Sequence, residues 1–317
     1  MKKTFLYVLI STFMFSSMEI ALKSVQGVFS PIQLNLIRFF IGGLVLIPIV
    51  MKNGKQTLLT SKWKSLGVFL LTGFLCVVVS MTLFQLAIMY DEASTVAVLF
   101  SCNPVFALLF AFFILREKIS RLGFISLVLS IIGLLIIVNP ANLTNPLGIS
   151  LALGSALTFG LYSIVSRWGS QVTGQNGLAT TCYTFLAGSV ELLILVSITN
   201  ISAVENYMNK VEWLKPFANT PIIHNISMNY FWILLFICVC VTGGGFAFYF
   251  LAMERAGVSI ASIVFFIKPG LAPILAMILL GEKIAINTWI GIVIILIGSV
   301  ITFIGSQMEQ KNAALEE

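Results

Sequence analysis

The chain contains ten separate runs of mostly apolar residues, and this repetition constrains its fold more than any other feature. A helix needs about 20 apolar residues to cross a hydrocarbon layer roughly 30 Å thick. Within that layer only helices and closed barrels satisfy their own backbone hydrogen bonds, and runs this long favour helices. The sequence therefore predicts an all-α integral membrane protein with ten transmembrane helices, at residues 4–24, 32–51, 66–88, 94–115, 122–138, 148–168, 178–199, 229–252, 258–280 and 286–305.

The composition excludes a soluble domain. Of the 317 residues, 59% are hydrophobic and 9% are charged, whereas a soluble domain has about 25% charged residues. The net charge of +6 would indicate a nucleic-acid partner only if the basic residues were clustered on one exposed face. They lie instead in short segments between the apolar runs, so the sequence predicts no nucleic-acid binding.

The five cysteines all lie inside apolar runs, and no two of them form a C-x-x-C pair. Buried free cysteines behave as small apolar side chains, whereas metal and disulfide sites show recognisable spacings. The single histidine, His224, lies between two runs. The sequence therefore predicts no metal site and no cofactor.

The basic residues are distributed unequally between the two ends of the predicted helices. If the N-terminus is cytoplasmic, twelve basic residues lie inside and four lie outside, namely Lys23, Lys210, Lys215 and Lys283. Basic residues accumulate on the cytoplasmic side of membrane proteins. We therefore expect a multi-pass protein of the cell (inner) membrane with both termini cytoplasmic. The outer segment at residues 200–228 is predicted to be a solvated surface loop, with a functional lid as the alternative.

The sequence also repeats itself. Residues 93–119 match residues 258–284 at a constant offset of 165, which pairs Pro104 with Pro269. The first helices align at an offset of 144. Self-similarity at a fixed offset predicts duplicated structural units. The units are residues 1–140 and 146–306, the second including the outer segment, and a cytoplasmic tail follows at residues 307–317.

Each unit contains five predicted helices, so the second unit enters the membrane from the opposite side. Glu117-Lys118 is expected inside, and its repeat partner Glu282-Lys283 is expected outside. Two inverted five-helix repeats are typical of secondary transporters, which bind substrate near the middle of the membrane between the repeats.

These features resemble the drug/metabolite transporter (DMT) superfamily, specifically the EamA-type transporters with two tandem five-helix repeats. The resemblance covers nearly the whole chain. It rests on Pro104 with Arg116-Glu117-Lys118, on Pro269 with Gly281-Glu282-Lys283, and on the Phe15 and Lys23 pattern of the first helix. It implies a carrier of small solutes, since members export amino acids, drugs, nucleotide-like metabolites and other small molecules.

Ionisable side chains within a span cost a few kcal/mol, and each is a candidate functional residue. Lys268 lies about ten residues, or roughly 15 Å, from the start of its predicted span. Its repeat partner is Asn103, and both precede prolines that free main-chain carbonyls four residues earlier, at Phe265 and Phe100. We interpret Lys268 and Asn103 as substrate-binding residues, with Lys268 contacting an anionic group. The alternative is a structural ion pair between Lys268 and Glu191.

Glu19 and Arg38 lie roughly 7 and 9 Å below the predicted outer face, on adjacent helices. Three interpretations stay open. Glu19 forms a structural pair with Arg38, or pairs with Lys23 four residues later, or the two residues bind substrate or a proton. Arg38 aligns with Thr184 of the second unit, so the two halves are expected to differ in function.

Aromatic residues could form the wall of the binding cavity. The candidates are Tyr162, Tyr249 and Phe84, and the same applies to Phe15 and Phe159, which are repeat partners. Ordinary packing is the alternative for each of them.

The charges within the predicted spans favour one class of substrate. They sum to +1, from Lys23, Arg38 and Lys268 against Glu19 and Glu191. A slight positive excess suits a zwitterionic or anionic metabolite such as an amino acid. No Walker-type phosphate loop is present. The leading hypothesis is a secondary transporter that exports such a metabolite across the inner membrane by alternating access.

Two other functions stay open. One is proton-coupled export of cationic drugs or amines through Glu19, although the nearby positive charges argue against it. The more remote one is a channel or receptor-like scaffold. An enzyme is not expected, because no nucleophile, metal set or acid/base pair lies at membrane depth. The expected partners are the substrate, the lipid bilayer and, as a candidate coupling ion, protons; a monomer and a homodimer both fit.

Single cysteine substitutions test the orientation. A cysteine at position 215 should react with a membrane-impermeant maleimide added to whole cells. A cysteine at position 62 should react only after permeabilisation, because the positive-inside rule places it in the cytoplasm. The parent chain measures the background from native cysteines, and the opposite labelling pattern would contradict cytoplasmic termini.

Overall fold

The computed structural model describes residues 2–52, 61–116, 119–139, 145–211, 217–222, 228–261 and 263–316. These residues form fifteen α-helices and two π-helical segments. In chain order the α-helices are α1 (Lys2–Ser16), α2 (Met18–Ser24), α3 (Pro31–Lys52), α4 (Lys62–Gly73), α5 (Met81–Tyr90), α6 (Ala93–Phe100), α7 (Asn103–Leu115), α8 (Arg121–Val138), α9 (Pro146–Thr173), α10 (Gly177–Thr199), α11 (Ser202–Met208), α12 (Met228–Leu235), α13 (Gly245–Ala261), α14 (Ile263–Leu280) and α15 (Ile286–Glu316).

Ten helical runs in the described residues are long and apolar enough to cross a membrane. They are Lys3–Ser24, Pro31–Lys52, Lys62–Tyr90, Ala93–Leu115, Arg121–Val138, Pro146–Thr173, Gly177–Thr199, Met228–Arg255, Ile263–Leu280 and Ile286–Gly305. The predicted all-α membrane fold with ten spans is therefore confirmed.

The third and eighth spans each contain a π-helical segment. Phe74–Ser80 joins α4 to α5, and Phe236–Gly244 joins α12 to α13. Under the 165-residue offset the first segment corresponds to residues 239–245, so the two segments overlap in the repeat alignment. Single π-turns are rare and often occur at functional sites.

The predicted start of the ninth span, at residue 258, is wrong. The preceding helix α13 continues to Ala261, and α14 begins at Ile263. Hydropathy indicates where the chain meets hydrocarbon, whereas a helix continues until its hydrogen bonding is interrupted, and residues 245–261 contain no proline. For the same reason the predicted tail at residues 307–317 continues α15 as far as Glu316.

Part of the predicted outer segment packs against the helices. Asn200 donates a hydrogen bond to the Thr220 carbonyl at 3.3 Å, and Gln33 of α3 donates to the Ile222 carbonyl, also at 3.3 Å. Residues 212–216 and 223–227, which include His224, lie outside the described residues, as does Glu117-Lys118. The described part of the segment therefore covers the end of α3.

The first span of each unit packs against the third and fourth spans of the other unit. α1 contacts α13 and α14, and α9 contacts α5, α6 and α7. The two first spans are therefore exchanged between the repeats, and the space between them is bounded by both units.

The fifth and tenth spans, one from each unit, approach closely through glycines. A Cβ atom added at Gly291 would lie 2.7 Å from the Gly133 carbonyl oxygen and 2.3 Å from Cγ1 of Ile137. Beside this contact, Ser126 donates a hydrogen bond to the Gly298 carbonyl at 2.8 Å. Small residues let helix backbones pack closely in membranes, so α8 and α15 form a tight contact between the two units.

Substitution of Gly291 by alanine should destabilise the protein. The added methyl group overlaps a backbone oxygen that cannot rotate away, and we expect the free energy of unfolding to fall by about 1–3 kcal/mol. Gly67→Ala is the matched control, because an added Cβ at this helical glycine meets no atom within 4 Å. Alanine is the better helix former, so this control should unfold no earlier than the parent. Thermal unfolding in detergent measures both, and a Gly291→Ala variant as stable as the parent would contradict the close contact.

Candidate functional site

A central cavity lies between the two repeats. A water-sized sphere can occupy about 50 Å³ of it, within a wider region of about 660 Å³ that is free of protein atoms and partly open to the surroundings. Two basic residues, Arg38 and Lys268, line it together with the polar residues Asn103, Ser101 and Thr242. The rest of the wall is mainly aromatic, with seven phenylalanines: Phe15, Phe39, Phe100, Phe159, Phe185, Phe246 and Phe265.

Four of these phenylalanines form two contacts that the internal repeat relates to each other. Phe15 stacks on Phe265 with ring centroids 5.6 Å apart, and Phe159 contacts Phe100 edge to face at 5.1 Å. The repeat pairs Phe15 with Phe159 and Phe100 with Phe265. Each contact joins the first span of one unit to the fourth span of the other, so the aromatic wall shares the pseudo-symmetry of the fold.

The other predicted aromatic residues lie behind this wall. Phe84 packs on Phe100 with centroids 4.7 Å apart, and its repeat partner Tyr249 packs on Phe265 at 5.1 Å. Tyr162 is buried and supports the wall in the same way. None of the three is among the residues that line the cavity, so the structure favours packing for them.

The ion pair of Lys268 is with Glu19, a combination that the sequence did not predict. Lys268 Nζ lies 2.8 Å from Glu19 Oε1, and both side chains are buried, at 5% and 1% exposure. The Lys268 ammonium also lies 5.2 Å from the centroid of the Phe100 ring. The pair connects the first span of one repeat to the fourth span of the other.

The three ion pairs considered from the sequence are therefore wrong. Glu191 lies on α10, does not line the cavity, and its Oε2 has no hydrogen-bond partner among the described residues. Lys23 donates to the main-chain carbonyls of Ile88 and Asp91, each at 2.7 Å. These carbonyls lie at the C-terminal end of α5, where intrahelical partners are missing. Glu19 affects Arg38 electrostatically, but its ion pair is with Lys268.

Arg38 is fully buried and only partly hydrogen-bonded. Its Nε donates to Asn35 Oδ1 at 2.9 Å, its Nη1 lies 3.7 Å from Met18 Sδ, and its Cζ lies 4.5 Å over the Phe39 ring. Its Nη2 has no hydrogen-bond partner in the part of the chain that the structure describes. A buried donor without a partner is costly, and this one belongs to a residue in the cavity wall.

The amide of Asn103 donates a hydrogen bond to a main-chain carbonyl that the following proline leaves without its helical donor. Pro104 frees the carbonyl of Phe100, and Asn103 Nδ2 donates to this carbonyl at 2.8 Å. The fourth span is accordingly divided, with α6 ending at Phe100 and α7 beginning at Asn103. The equivalent Pro269 lies inside the continuous helix α14. The division of the fourth span at its proline therefore has no counterpart in α14.

Both π-helical segments contribute to the cavity wall. Cys76 comes from the first segment, and Val241 and Thr242 come from the second. Thr242 donates to the carbonyl of Ile237, five residues earlier, at 2.8 Å. These segments could not be predicted from the sequence, because a shift in hydrogen-bond pattern leaves the apolar character of the span unchanged.

At the end of the bundle that contains Glu282, a hydrogen-bonded contact joins the two repeats. The Glu282 carboxylate accepts hydrogen bonds from the main-chain N–H groups of Ala93 and Ser94, at 2.8 and 2.9 Å. It therefore caps α6, and a carboxylate is favourable at a helix N-terminus. Partial burial raises the pKa of the neighbouring Asp91 and Glu92, and the charge of Glu282 acts in the same direction on both.

The opposite end contains a cleft that adjoins the cavity. The cleft lies between α7, α8, α9, α14 and α15, and its wall includes Ser120, Arg167 and Gly305. Ser101 and Pro104 line both the cleft and the central cavity. The wall of the central cavity therefore adjoins the cleft on the side of Arg167.

Comparison with known proteins identifies relatives along the whole chain. The model of the EamA-like transporter family matches residues 2–139 and 146–304. A protein of Clostridium kluyveri named as a transporter is 35% identical over 312 residues, which cover 96% of this chain and 94% of that protein. The S-adenosylmethionine uptake transporter of Rickettsia bellii is 28% identical over 180 residues, which cover 56% of this chain and 55% of that protein. A solved crystal structure with 15% identity superposes with a TM-score of 0.62 over 95% of this chain and 96% of that one, which shows a shared fold.

A double-mutant cycle tests the Glu19–Lys268 pair. Glu19→Gln and Lys268→Met should each lower the free energy of unfolding by about 3–5 kcal/mol, because each leaves one buried charge without its partner. The double variant should recover most of that loss. Glu191→Gln is the matched control and should change stability little, since Glu191 has no ion-pair partner in the described residues. Losses that simply add in the double variant would contradict a direct pair.

Proposed function

The chain belongs to the EamA-like transporter family, and from that premise we propose that it is a secondary transporter for a small anionic or zwitterionic metabolite. It is a multi-pass membrane protein with ten spans. The proposal places it in the inner membrane with both termini cytoplasmic, as the distribution of basic residues favours. Export is the direction that the sequence resemblance implies.

The observation that most supports an anionic substrate is the state of Arg38. Its guanidinium lines the cavity, and Nη2 is buried without a hydrogen-bond partner among the described residues. A guanidinium binds a carboxylate through two parallel hydrogen bonds. A substrate carboxylate in the cavity would supply both the missing acceptor and the missing counter-charge.

The charge balance of the site points the same way. Arg38 and Lys268 contribute two positive charges and Glu19 contributes one negative charge, which leaves an excess of +1. The ion pair occupies Lys268, so the excess charge resides on Arg38. The predicted role of Lys268 as the main anion ligand therefore passes to Arg38 in this proposal.

The aromatic wall suits a substrate with an apolar or planar part. Seven phenylalanines line the cavity, and aromatic rings pack favourably on flat groups. The relative from Rickettsia bellii is named for uptake of S-adenosylmethionine, a compound that combines an amino-acid carboxylate with a planar base. The sulfonium of that compound gives it a net positive charge, however, so aromatic amino acids and their 2-oxo acids fit the positive site better.

In an alternating-access mechanism the substrate site opens to one end of the bundle at a time. Inverted repeats exchange their conformations during transport, and in this proposal the contact in which Glu282 caps α6 breaks when the cavity opens to that end. Protons are the candidate coupling ion, with Glu19 as the acceptor. A proton on Glu19 would release Lys268 from its ion pair and so add a second positive group to the cavity.

The alternative of a cation exporter that uses Glu19 has less support. Glu19 already compensates Lys268 at 2.8 Å, and the uncompensated group in the cavity is positive. A permanent cation would meet repulsion from Arg38. A channel or scaffold would show no saturable counterflow, so one assay separates these classes.

Counterflow in proteoliposomes tests the proposal. The panel contains the common amino acids, their 2-oxo acids, dicarboxylates, S-adenosylmethionine and, for the alternative, tetraphenylphosphonium. For the solute that exchanges, Arg38→Lys should raise KM at least about tenfold, because a compact ammonium cannot reproduce the planar fork, and Arg38→Gln should abolish exchange.

Arg255→Gln is the matched control for Arg38→Gln. Arg255 contacts the Tyr7 ring and does not line the cavity. The KM of the Arg255→Gln variant should therefore equal that of the parent. Counterflow of tetraphenylphosphonium alone, or an Arg38→Gln variant with parental KM, would refute the proposed anion site.

A further inference from the structure

Asn35 holds the guanidinium of Arg38 from behind the cavity wall. It precedes Arg38 by three residues on α3, is fully buried, and does not line the cavity. Its Oδ1 accepts the hydrogen bond from Arg38 Nε at 2.9 Å. Its Nδ2 donates to the Val77 carbonyl at 3.2 Å and lies 3.3 Å from Thr82 Oγ1. Asn35 therefore connects Arg38 to the π-helical segment of the third span.

This arrangement requires an amide at position 35. One atom of the side chain must accept from Arg38, and another must donate to a main-chain carbonyl, which a carboxylate cannot do. A carboxylate would also give Arg38 a permanent buried counterion. The amide orients the guanidinium while its charge stays uncompensated.

The other charged and titratable groups around Arg38 do not neutralise it. Cys76, Cys238 and Glu19 are the groups that act on it electrostatically, and Glu19 is paired with Lys268. The thiols are neutral at ordinary pH, with an unperturbed pKa of about 8.5. The identity of residue 35 therefore decides whether the cavity keeps its positive excess.

We propose that Asn35 is a positioning residue that fixes Arg38 by hydrogen bonding without neutralising it, and so determines that the cavity selects an anionic group. This inference rests on the proposed anion site at Arg38. Asn35→Asp changes the excess charge of the site from +1 to zero with almost no change in side-chain shape. The substrate preference should shift away from anions as a result.

The charge of the cavity can be measured without a substrate. Ser101 lines both the cavity and the cleft, so a cysteine at position 101 reports on the potential there. The probes are the anionic 2-sulfonatoethyl and the cationic 2-(trimethylammonium)ethyl methanethiosulfonates. Peptide mass spectrometry gives the rate at which each reagent labels residue 101, with the native cysteines retained. The labelling ratio is the rate with the anionic reagent divided by the rate with the cationic reagent, normalised to the same ratio for a free thiol in solution.

In Ser101→Cys protein the ratio should favour the anionic reagent. Adding Asn35→Asp should lower it at least about tenfold, since a unit charge near a low-dielectric cavity acts in opposite directions on the two reagents. Asn35→Ala should leave the ratio within about threefold, because it removes the hydrogen bond but not the charge. This difference separates charge selection from a merely structural role.

Asn287→Asp is the matched control. Asn287 also donates to main-chain carbonyls, those of Ile136 and Ile137, and lies away from the cavity wall. Ser101→Cys protein that also carries Asn287→Asp should have the same labelling ratio as Ser101→Cys protein. If Asn35→Asp yields no folded protein, Arg38→Met must lower the ratio to the same extent.

The proposal is overturned if the Asn35→Asp ratio equals that of the parent, if Arg38→Met leaves the ratio unchanged, or if Asn35→Ala lowers the ratio as far as Asn35→Asp. A residue 101 cysteine closed to both reagents would also overturn it, because the cleft would then not reach the cavity. The measurement needs no transported solute. A failed counterflow panel and a failed charge measurement are therefore separate results.

Discussion

A charge inside a membrane needs compensation, and the Glu19–Lys268 pair supplies it at the centre of this protein. The pair connects the first span of one repeat to the fourth span of the other, across the space where the substrate is proposed to bind. A lone charge in hydrocarbon is unfavourable, so the two helices are held together by the need to keep both charges matched. The remaining charge, that of Arg38, has hydrogen bonds but no ion-pair partner among the described residues, and it gives the cavity its sign.

The fold could be predicted well from the sequence, because many residues along the chain contribute to each predicted span and to the repeat. Each span depends on about 20 residues, and the repeat depends on a register kept from Ala93 to Ile119 and again from Val258 to Ile284.

Ion pairing is different. Depth along a helix can be counted from the sequence only as accurately as its start is known, and α14 begins at Ile263, five residues later than predicted, so Lys268 lies nearer the start of its helix. The direction of a side chain around the helix axis depends on packing. Glu19 and Glu191 both lie within the predicted spans at depths that could reach Lys268, and the direction of each side chain decides that Glu19 meets it. Asn35 could have been recognised, since residues three apart share a helix face.

The repeat predicted the apolar half of the site better than the polar half. The contacts Phe15–Phe265 and Phe159–Phe100 follow the pseudo-symmetry, as do the rings packed behind them. The polar groups do not. Asn103 closes a break in the fourth span, whereas its partner Lys268 lies in an unbroken helix and forms an ion pair. A shape built from paired aromatic residues can thus persist in both halves while one half changes its charge.

The contact made by Glu282 has a consequence for how this family can drift in sequence. Its two partners are main-chain N–H groups of residues 93 and 94, not side chains. A substitution at either position therefore leaves the donor in place, although both side chains are buried and a larger one would have to be accommodated. Proline is the exception, because it has no N–H to donate. The cap thus depends on the side chain at position 282 but on the backbone at positions 93 and 94, where packing rather than hydrogen bonding limits the choice of residue.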